Sequence, residues 1–394
     1  MSTFPTRSRR AKALAMSALA VSLVGALAGC GAGEKAAAAA DPTATAASAD
    51  GVQQAKDAMA GWAAAPEWPD VTAIANPVEL TGKKFTFVAL GDQIPVIHGV
   101  GVGVTEALSA AGATVKICDG KFNPTAVADC LKAAGDEKVD GVISAFVDYQ
   151  MAAPAFDALA AKGVKVIVGG VAPSANRKAD DTLAFYDNTP RVFALHKAMS
   201  NAAIADGGAD TNVLWVRLMD STTTTGASAA GIEEFKSLCP SCGIATTEFT
   251  TANVDKLATS ISAALVSNPD TNSIIVPVDS YVPPVLQGIQ SAKFAGKVKV
   301  HSSSSDLAGL QRVEAGQQAS DLGTPVLFEG WKFANAMVQL IAGQQVEKGD
   351  DFVTRAFTKA NVGELTLDEK SYLTADWFGG NGYEQKFLTA WGVK

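Results

Sequence analysis

The chain has 394 residues, 48% hydrophobic and 18% charged, long enough for two domains at roughly 150 residues each. Its formal charge is −8, from 32 Lys and Arg against 40 Asp and Glu. That acidic balance does not suit a phosphate backbone and argues against nucleic acid as a partner.

Arg7, Arg9, Arg10 and Lys12 precede an apolar run, 13–28, that leads into Leu27-Ala28-Gly29-Cys30. A basic start, a short apolar middle and small residues before a cut site make a secretory signal. The box resembles a bacterial lipoprotein signal. That resemblance implies removal of residues 1–29 and lipidation of Cys30, which would hold the chain to the outside of the cell membrane. A transmembrane anchor is the weaker reading: a span needs about 20 apolar residues, and Ser17, Ser22 and Gly25 interrupt this run. Loss of four basic residues and no acidic one would take the charge from −8 to −12. No later stretch reaches the length of a membrane span.

Residues 30–50 are mostly Ala, Thr, Ser, Asp and Gly and read as a flexible tether. Residues 51–80 hold a helix from 52 to 64, then a stretch broken by Pro66, Pro69 and Pro77. From residue 83 short β-branched runs alternate with Ala- and Leu-rich stretches. Strands are predicted at 84–90, 114–118, 141–145 and 164–168, with helices at 98–111, 124–134 and 151–162. A second series has helix 191–206, strand 212–217, helix 227–237, strand 243–249, helix 254–267, strand 273–277, helix 282–292 and strand 297–301. A helix at 328–342 and a tail through 383–391 follow. Strands separated by helical stretches of ten or more residues build βαβ units with a parallel sheet, and strands apolar on both faces are buried on both faces.

Beyond Cys30 there are four cysteines: Cys118, Cys130, Cys239 and Cys242. In an oxidising compartment an even number reads first as disulfides, and nearness pairs Cys118 with Cys130 and Cys239 with Cys242. The rival for Cys239-Pro240-Ser241-Cys242 is a redox pair or half a zinc site. A redox pair should open a helix directly after a strand. No second cysteine pair or histidine cluster completes a zinc site, so no metal is expected.

Several local patterns resemble the type I periplasmic solute-binding proteins, the ribose-binding-like group of bacterial importers. Lys138-Val139-Asp140-Gly141-Val142-Ile143, followed by Ala161-Lys162-Gly163-Val164-Lys165-Val166-Ile167, is similar to two successive strand passages of that family. Pro277-Val278-Asp279 ahead of helix 282–292 is similar to a later one. Gly330-Trp331, heading a helix that ends at Ala342-Gly343, is similar to its late crossover helix. The resemblance spans about 81–394. It implies an α/β fold of two doubly wound parallel-sheet lobes joined by a hinge with three crossovers. Lobe 1 would be 81–187 plus 303–346, and lobe 2 would be 188–302 plus 347–394. It further implies a monomeric binding subunit, not an enzyme, that passes a small solute to a membrane permease of an ABC importer.

In open parallel sheets ligands sit beyond the carboxyl ends of the strands. The candidate ligand residues are therefore Asp92 and Gln93, Asp148 and Tyr149, Asp220, Ser221 and Thr222, Asn253, Asp279 and Tyr281, and His301 and Ser302. Carboxylates, amides, hydroxyls and two tyrosines suit a small polyol such as a carbohydrate, or a cation. The alternative at each position is a turn former or helix cap. The resemblance implies ligand contact for Asp279 and a polar role for Asn253. It also puts Gly170, Val171 and Ser228 where the relatives carry charged clamps, which weakens the case for a simple pentose or hexose.

Gly99-Val100-Gly101-Val102-Gly103 before a helix has the look of a dinucleotide fingerprint. Leu90 is separated from Gly99 by Pro95 and a polar loop, so close helix packing is the better reading and no cofactor is expected. A hydrolase would want a Gly-x-Ser-x-Gly elbow or a His-Glu-x-x-His motif, and the sequence has neither. An exported hydrolase and a sensor feeding a membrane receptor remain the alternatives.

Overall fold

Strands β1 (Lys84–Ala89), β2 (Thr114–Asp119), β3 (Gly141–Ala145), β4 (Lys165–Gly169) and β5 (Leu183–Tyr186) form one sheet in the order β2-β1-β3-β4-β5. All its pairings are parallel. The computed structural model describes residues 42–393; Cys30 and the leader expected at 1–29 lie outside the described residues. Alternate residues of these strands feed two apolar layers. Phe85, Phe87, Ile143 and Ile167 face one side, and Val88, Val142, Val166 and Val168 the other. This is the pattern of a parallel sheet covered on both faces.

Three helices, α2 (Pro95–Ala110), α3 (Pro124–Asp136) and α4 (Ala153–Ala161), connect the strands, each with a proline in its first turn. Proline is favoured there because its ring fixes a helical φ and its missing N–H has no partner to lose. Asn123 starts α3 by accepting from the Thr125 and Ala126 amides at 2.8 and 3.3 Å.

The second sheet contains β6 (Asn212–Leu218), β7 (Gly243–Phe249), β8 (Ser273–Ile275), β9 (Lys299–Ser303), β10 (Ser320–Gly323) and β11 (Arg355–Thr358), in the order β11-β10-β9-β8-β6-β7. Only β11 runs antiparallel among these pairings. Around it lie α5 (Thr189–Gly207), α6 (Thr222–Leu238), α7 (Leu257–Ser267), α8 (Val282–Ser291) and α9 (Leu307–Glu314). Helices α10 (Val326–Ile341), α11 (Glu369–Leu373) and α12 (Tyr383–Trp391) return to the first lobe, where Trp331, Tyr383, Phe387 and Trp391 join its core.

Both expected disulfides are present, Cys118–Cys130 tying β2 to α3 and Cys239–Cys242 closing the turn between α6 and β7. Three features depart from the sequence reading. First, helix α1 (Pro42–Gly61) begins inside the stretch read as a tether. It packs on the second lobe, with Ala55 buried there and Ser48 2.7 Å from the Ser241 hydroxyl. Second, β10 pairs with β9, so 303–323 belongs to lobe 2 and only α10 crosses to lobe 1. Third, the region after 347 is shared: β11 pairs in the second sheet, 365–378 bridges the lobes with Phe378 against Phe357 and the Tyr372 hydroxyl on the Pro95 carbonyl, and α12 packs on lobe 1. Strand β10 reads Ser-Asp-Leu-Gly, with one large apolar residue, so nothing in its pattern announces a strand.

A strap also joins the lobes. The Trp62 and Ala63 carbonyls accept from Ala356 N–H and Arg355 Nε on the second lobe, at 2.8 and 3.2 Å. Trp68 then packs 4.7 Å from Tyr383 and 5.1 Å from Phe328 on the first.

The glycines of α2 let two helices touch. A Cβ on Gly103 would lie 2.4 Å from the Leu327 carbonyl oxygen, and one on Gly330 would lie 2.6 Å from the Gly103 Cα. Gly99 faces Val326 in the same way, at 2.5 Å. Alanine at 103 would gain about 1 kcal/mol of helix propensity. The clash is with backbone, which no rotamer change relieves, so overpacking wins. Gly103→Ala is expected to lower stability by about 1–3 kcal/mol in urea unfolding. An unchanged midpoint would contradict the close crossing of α2 and α10.

Candidate functional site

The carboxyl ends of both sheets face a cavity of about 150 Å³ between the lobes. The first-lobe wall is Leu90, Ile94, Val96 and Ile97 after β1, Phe122 after β2, Phe146 after β3, and Gly170 and Val171 after β4. The floor is one face of α5, with Arg191, Val192, Leu195 and His196. The second-lobe wall is Leu218, Asp220, Ser221, Thr223 and Thr224 at the β6–α6 junction, Pro277, Val278 and Tyr281 after β8, and Ser303 and Ser304 at the end of β9.

Local rules explain the second wall. Ser221 caps α6, accepting from the Thr224 amide at 3.1 Å, while the Thr224 hydroxyl accepts from the Ser221 amide at 3.1 Å. This reciprocal box fixes the turn that presents Asp220. The Asp220 carboxylate accepts from the Thr251 amide at 2.9 Å and from the Thr251 hydroxyl, which lies 2.6 Å from the Tyr281 hydroxyl. Asp220, Thr251 and Tyr281 thus form one polar chain reaching two lining residues.

The first wall is built on strained backbone. Phe122 and Phe146 sit at φ of 51° and 64°, a left-handed region that bulky residues rarely enter and that costs about 1–3 kcal/mol each. Each ring rests on a glycine. A Cβ on Gly91 would lie 2.1 Å from the Phe122 ring, and one on Gly170 2.6 Å from the Phe146 ring.

Of the twelve candidate ligand residues, Asp220, Ser221 and Tyr281 line the cavity. The other nine do not. Asp92 is bonded to His98 at 3.1 Å, and Gln93 is exposed. Burial holds the half-buried Asp148 carboxyl above its usual range, opposed by the Thr222 backbone N–H on the other lobe. Thr222 itself is exposed. Tyr149 is buried and donates to Asp157 at 2.8 Å; burial, then that carboxylate, push its hydroxyl up to about 12. Asn253 is a cap, accepting from the Thr250 amide at 2.8 Å. His301 and Ser302 lie within β9, which runs two residues further than 297–301. His301 is buried 2.8 Å from the Ser320 hydroxyl, and Ser302 donates to Asp279.

Asp279 is fully buried, accepting also from the Asp306 amide at 3.0 Å. It forms a carboxyl cluster with Asp306 and Asp321. Burial and then Asp321 drive Asp279 well above the carboxylate range, and burial and then Asp279 lift Asp306 to about 7. Burial lifts Asp321 to about 6. Arg312 meets this cluster at 3.8 Å from Asp279.

The sequence reading did not single out Arg191, His196, Phe122, Phe146 or Ser304 as ligand residues. Arg191 is buried, donates to Thr324 Oγ1 at 2.8 Å and sets its Nε 3.5 Å from the Glu329 carboxylate. His196 Nδ1 lies 2.9 Å from the Val192 carbonyl, which only accepts, so that nitrogen carries the proton. Burial lowers its pKa to about 4, leaving a neutral ring with a bare, unpartnered Nε2. Thr223 Oγ1 is likewise unpartnered. The glycines after β1 and β4 were the available signal for the aromatic wall.

The carboxyl cluster makes a pH prediction. A raised carboxyl pKa means the folded state holds protons that the unfolded chain, near 3.9, has released. The stabilisation is full below about pH 4 and is lost as pH rises through 6 to 7. Asp306 caps α9 through the Gly309 amide, and asparagine caps as well as aspartate. Asp306→Asn is expected to stabilise the protein relative to wild type by about 1–3 kcal/mol at pH 7.5, and by much less at pH 4.5. Urea midpoints at the two pH values test it, and an equal difference at both would contradict the buried cluster.

Residues 85–345 match the family model described as a periplasmic binding protein domain. No curated protein sequence matches the chain. Among solved structures, the chain is similar to the 5-methylthioribose transporter solute-binding protein of Thermotoga lettingae, in complex with 5-methylthioribose. The identity is 12%, the TM-score 0.65, and the match covers 81% of this chain and 100% of the other. It is also similar to the Caulobacter myo-inositol binding protein bound to myo-inositol, at 19% identity and TM-score 0.59, covering 72% and 95% of the two chains. A Mycobacterium smegmatis protein in complex with β-D-fucofuranose matches at 15% identity and TM-score 0.60, covering 75% and 97%.

Proposed function

Because the chain belongs to the periplasmic binding protein family, we propose that it is the solute-capturing subunit of an ABC importer, held to the membrane by a lipidated Cys30. The two lobes close on a small, hydroxyl-bearing solute and deliver it to a membrane permease. The observation that carries this reading is the cavity between facing carboxyl ends of two sheets, floored by the helix that follows a chain crossing. The neighbours in complex with 5-methylthioribose, myo-inositol and fucofuranose support a ring-sized solute.

A solute that bridges the lobes stabilises the closed form by its differential affinity for it. Asp220, Ser221 and Tyr281 are the proposed hydrogen-bonding residues, with the Thr224 and Ser304 hydroxyls beside them. Micromolar capture needs about 8 kcal/mol, within reach of several such bonds and the two ring faces.

The test is thermal unfolding of the purified protein against sugars, polyols, nucleosides, amino acids and amines. A solute at 100 times its dissociation constant is expected to add about 2.7 kcal/mol and raise the melting temperature by a few degrees. Asp220→Asn is expected to weaken that solute by about 1–3 kcal/mol. A panel with no saturable shift would overturn solute capture, and unchanged affinity in Asp220→Asn would overturn the assignment of that wall.

A further inference from the structure

We infer that the cleft selects an amphipathic ring solute, with hydroxyls along one edge and hydrocarbon along the other. The inference rests on the solute-capture reading above and names the class of solute.

The two walls differ in kind. Every polar side chain at the cavity comes from the second lobe, α5 included. Among the described residues, the first lobe offers aliphatic and aromatic side chains only, including Leu90, Ile94, Phe122 and Phe146, together with the bare Gly170. Its polar residues close to the strand ends are committed elsewhere. Asp92 holds His98, Asp148 faces the Thr222 backbone, and Tyr149 donates to Asp157. A hydroxyl turned toward that wall would lose its water and find no partner, a loss that stacking does not recover.

A plain sugar could lay one carbon face on an aromatic ring and keep its edge hydroxyls wet. Here Leu90, Ile94, Val96 and Val171 surround the rings, so hydrocarbon meets the solute's edge as well as its face. The rings are also held there at a cost. Both carry left-handed backbone, and both rest on glycines that tolerate no Cβ. Strain retained at two separate loops, converging on one wall, marks that wall as part of the site.

The opposite side suits neutral hydroxyls. Asp220 accepts, and the Ser221, Thr224 and Ser304 hydroxyls donate or accept, all on half-buried residues of the cavity wall. A hydroxyl donates and accepts, so adjacent hydroxyls on one ring can meet several of them. Arg191 is already balanced by Glu329, which removes the call for an anion. A cavity of about 150 Å³ takes a single six-membered ring with small substituents. The class is a deoxy- or alkyl-substituted ring polyol.

Calorimetric titration of the purified protein with matched pairs tests this: D-fucose against D-galactose, L-rhamnose against L-mannose, and 5-deoxy-D-ribose against D-ribose. At least one deoxy sugar is expected to bind ten-fold or more tighter than its hydroxylated partner. Phe146→Asn should shrink or reverse that ratio, since asparagine tolerates the left-handed backbone while replacing the ring with an amide. Ile94→Thr, at a half-buried position outside the strands, should move the ratio the same way and serves if the first variant fails to fold. Hydroxylated partners binding as tightly as their deoxy forms, or tighter, would overturn the amphipathic cleft and leave solute capture standing. An unchanged ratio in both variants would overturn it too. Binding of none of the six sugars, with saturable binding of another solute from the thermal panel, would overturn the inference alone. No binding by any solute would overturn both readings.

Discussion

A buried ion pair, Arg191 with Glu329, sits where the chain passes between the lobes, and the cleft is organised about it. The first crossing runs from Tyr186 at the end of β5 to Asn188, whose side chain donates to Glu329 at 3.2 Å. The second follows β10, where Thr324 accepts from Arg191 at 2.8 Å. One guanidinium and one carboxylate therefore hold two crossings and two helices, α5 and α10, in register. Neither charge has much access to water, so moving one without the other would leave an uncompensated buried charge. The pair also puts Arg191 at the floor of the cavity, its charge already met by Glu329.

The walls follow from what each lobe can spare. Helix α10 lies against α2 because Gly103 and Gly330 let backbones meet. That contact sets the start of α2, and with it Ile94, Val96 and Ile97, at the edge of the cleft. Strain at Phe122 and Phe146 is sustained by a core that buries Phe85, Phe87 and Phe333 beneath the wall. On the other side, polar residues are joined into chains that need no charge change to meet hydroxyls. The carboxyl cluster at Asp279, Asp306 and Asp321 belongs to a different task. It ties the start of α9 to the second sheet and holds its protons well above the pH at which free carboxyls release them.

Much of this was legible from residues alone. Strands β1, β3, β4, β6 and β7 announce themselves by apolar or β-branched runs between helical stretches, and the two disulfides by spacing. Strands β5, β10 and β11 did not, since four residues carry little pattern and their pairing is decided by partners far along the chain. The same limit moved the lobe boundaries. At the site, one small shift had large consequences. Strand β9 ends at Ser303 and not at His301, which buries His301 and Ser302 and puts Ser303 and Ser304 on the cleft. Asn253 shows the opposite case, a polar residue at a strand end that serves its own backbone. Phe122 and Phe146 were hidden because sequence gives no sign of left-handed backbone at a phenylalanine. Only the glycines facing them hinted at a close approach.

Closure of the two lobes on a solute is tested most directly by pulsed electron spin resonance between labels at Gln93 and Ala252, exposed positions beyond β1 and β7 on opposite lobes. Distances would be recorded with and without a saturating concentration of the solute that most raises the melting temperature. A shorter and narrower distance distribution with solute is the expected result. A distribution that does not change at saturation would contradict hinge closure and leave a rigid protein that binds without moving.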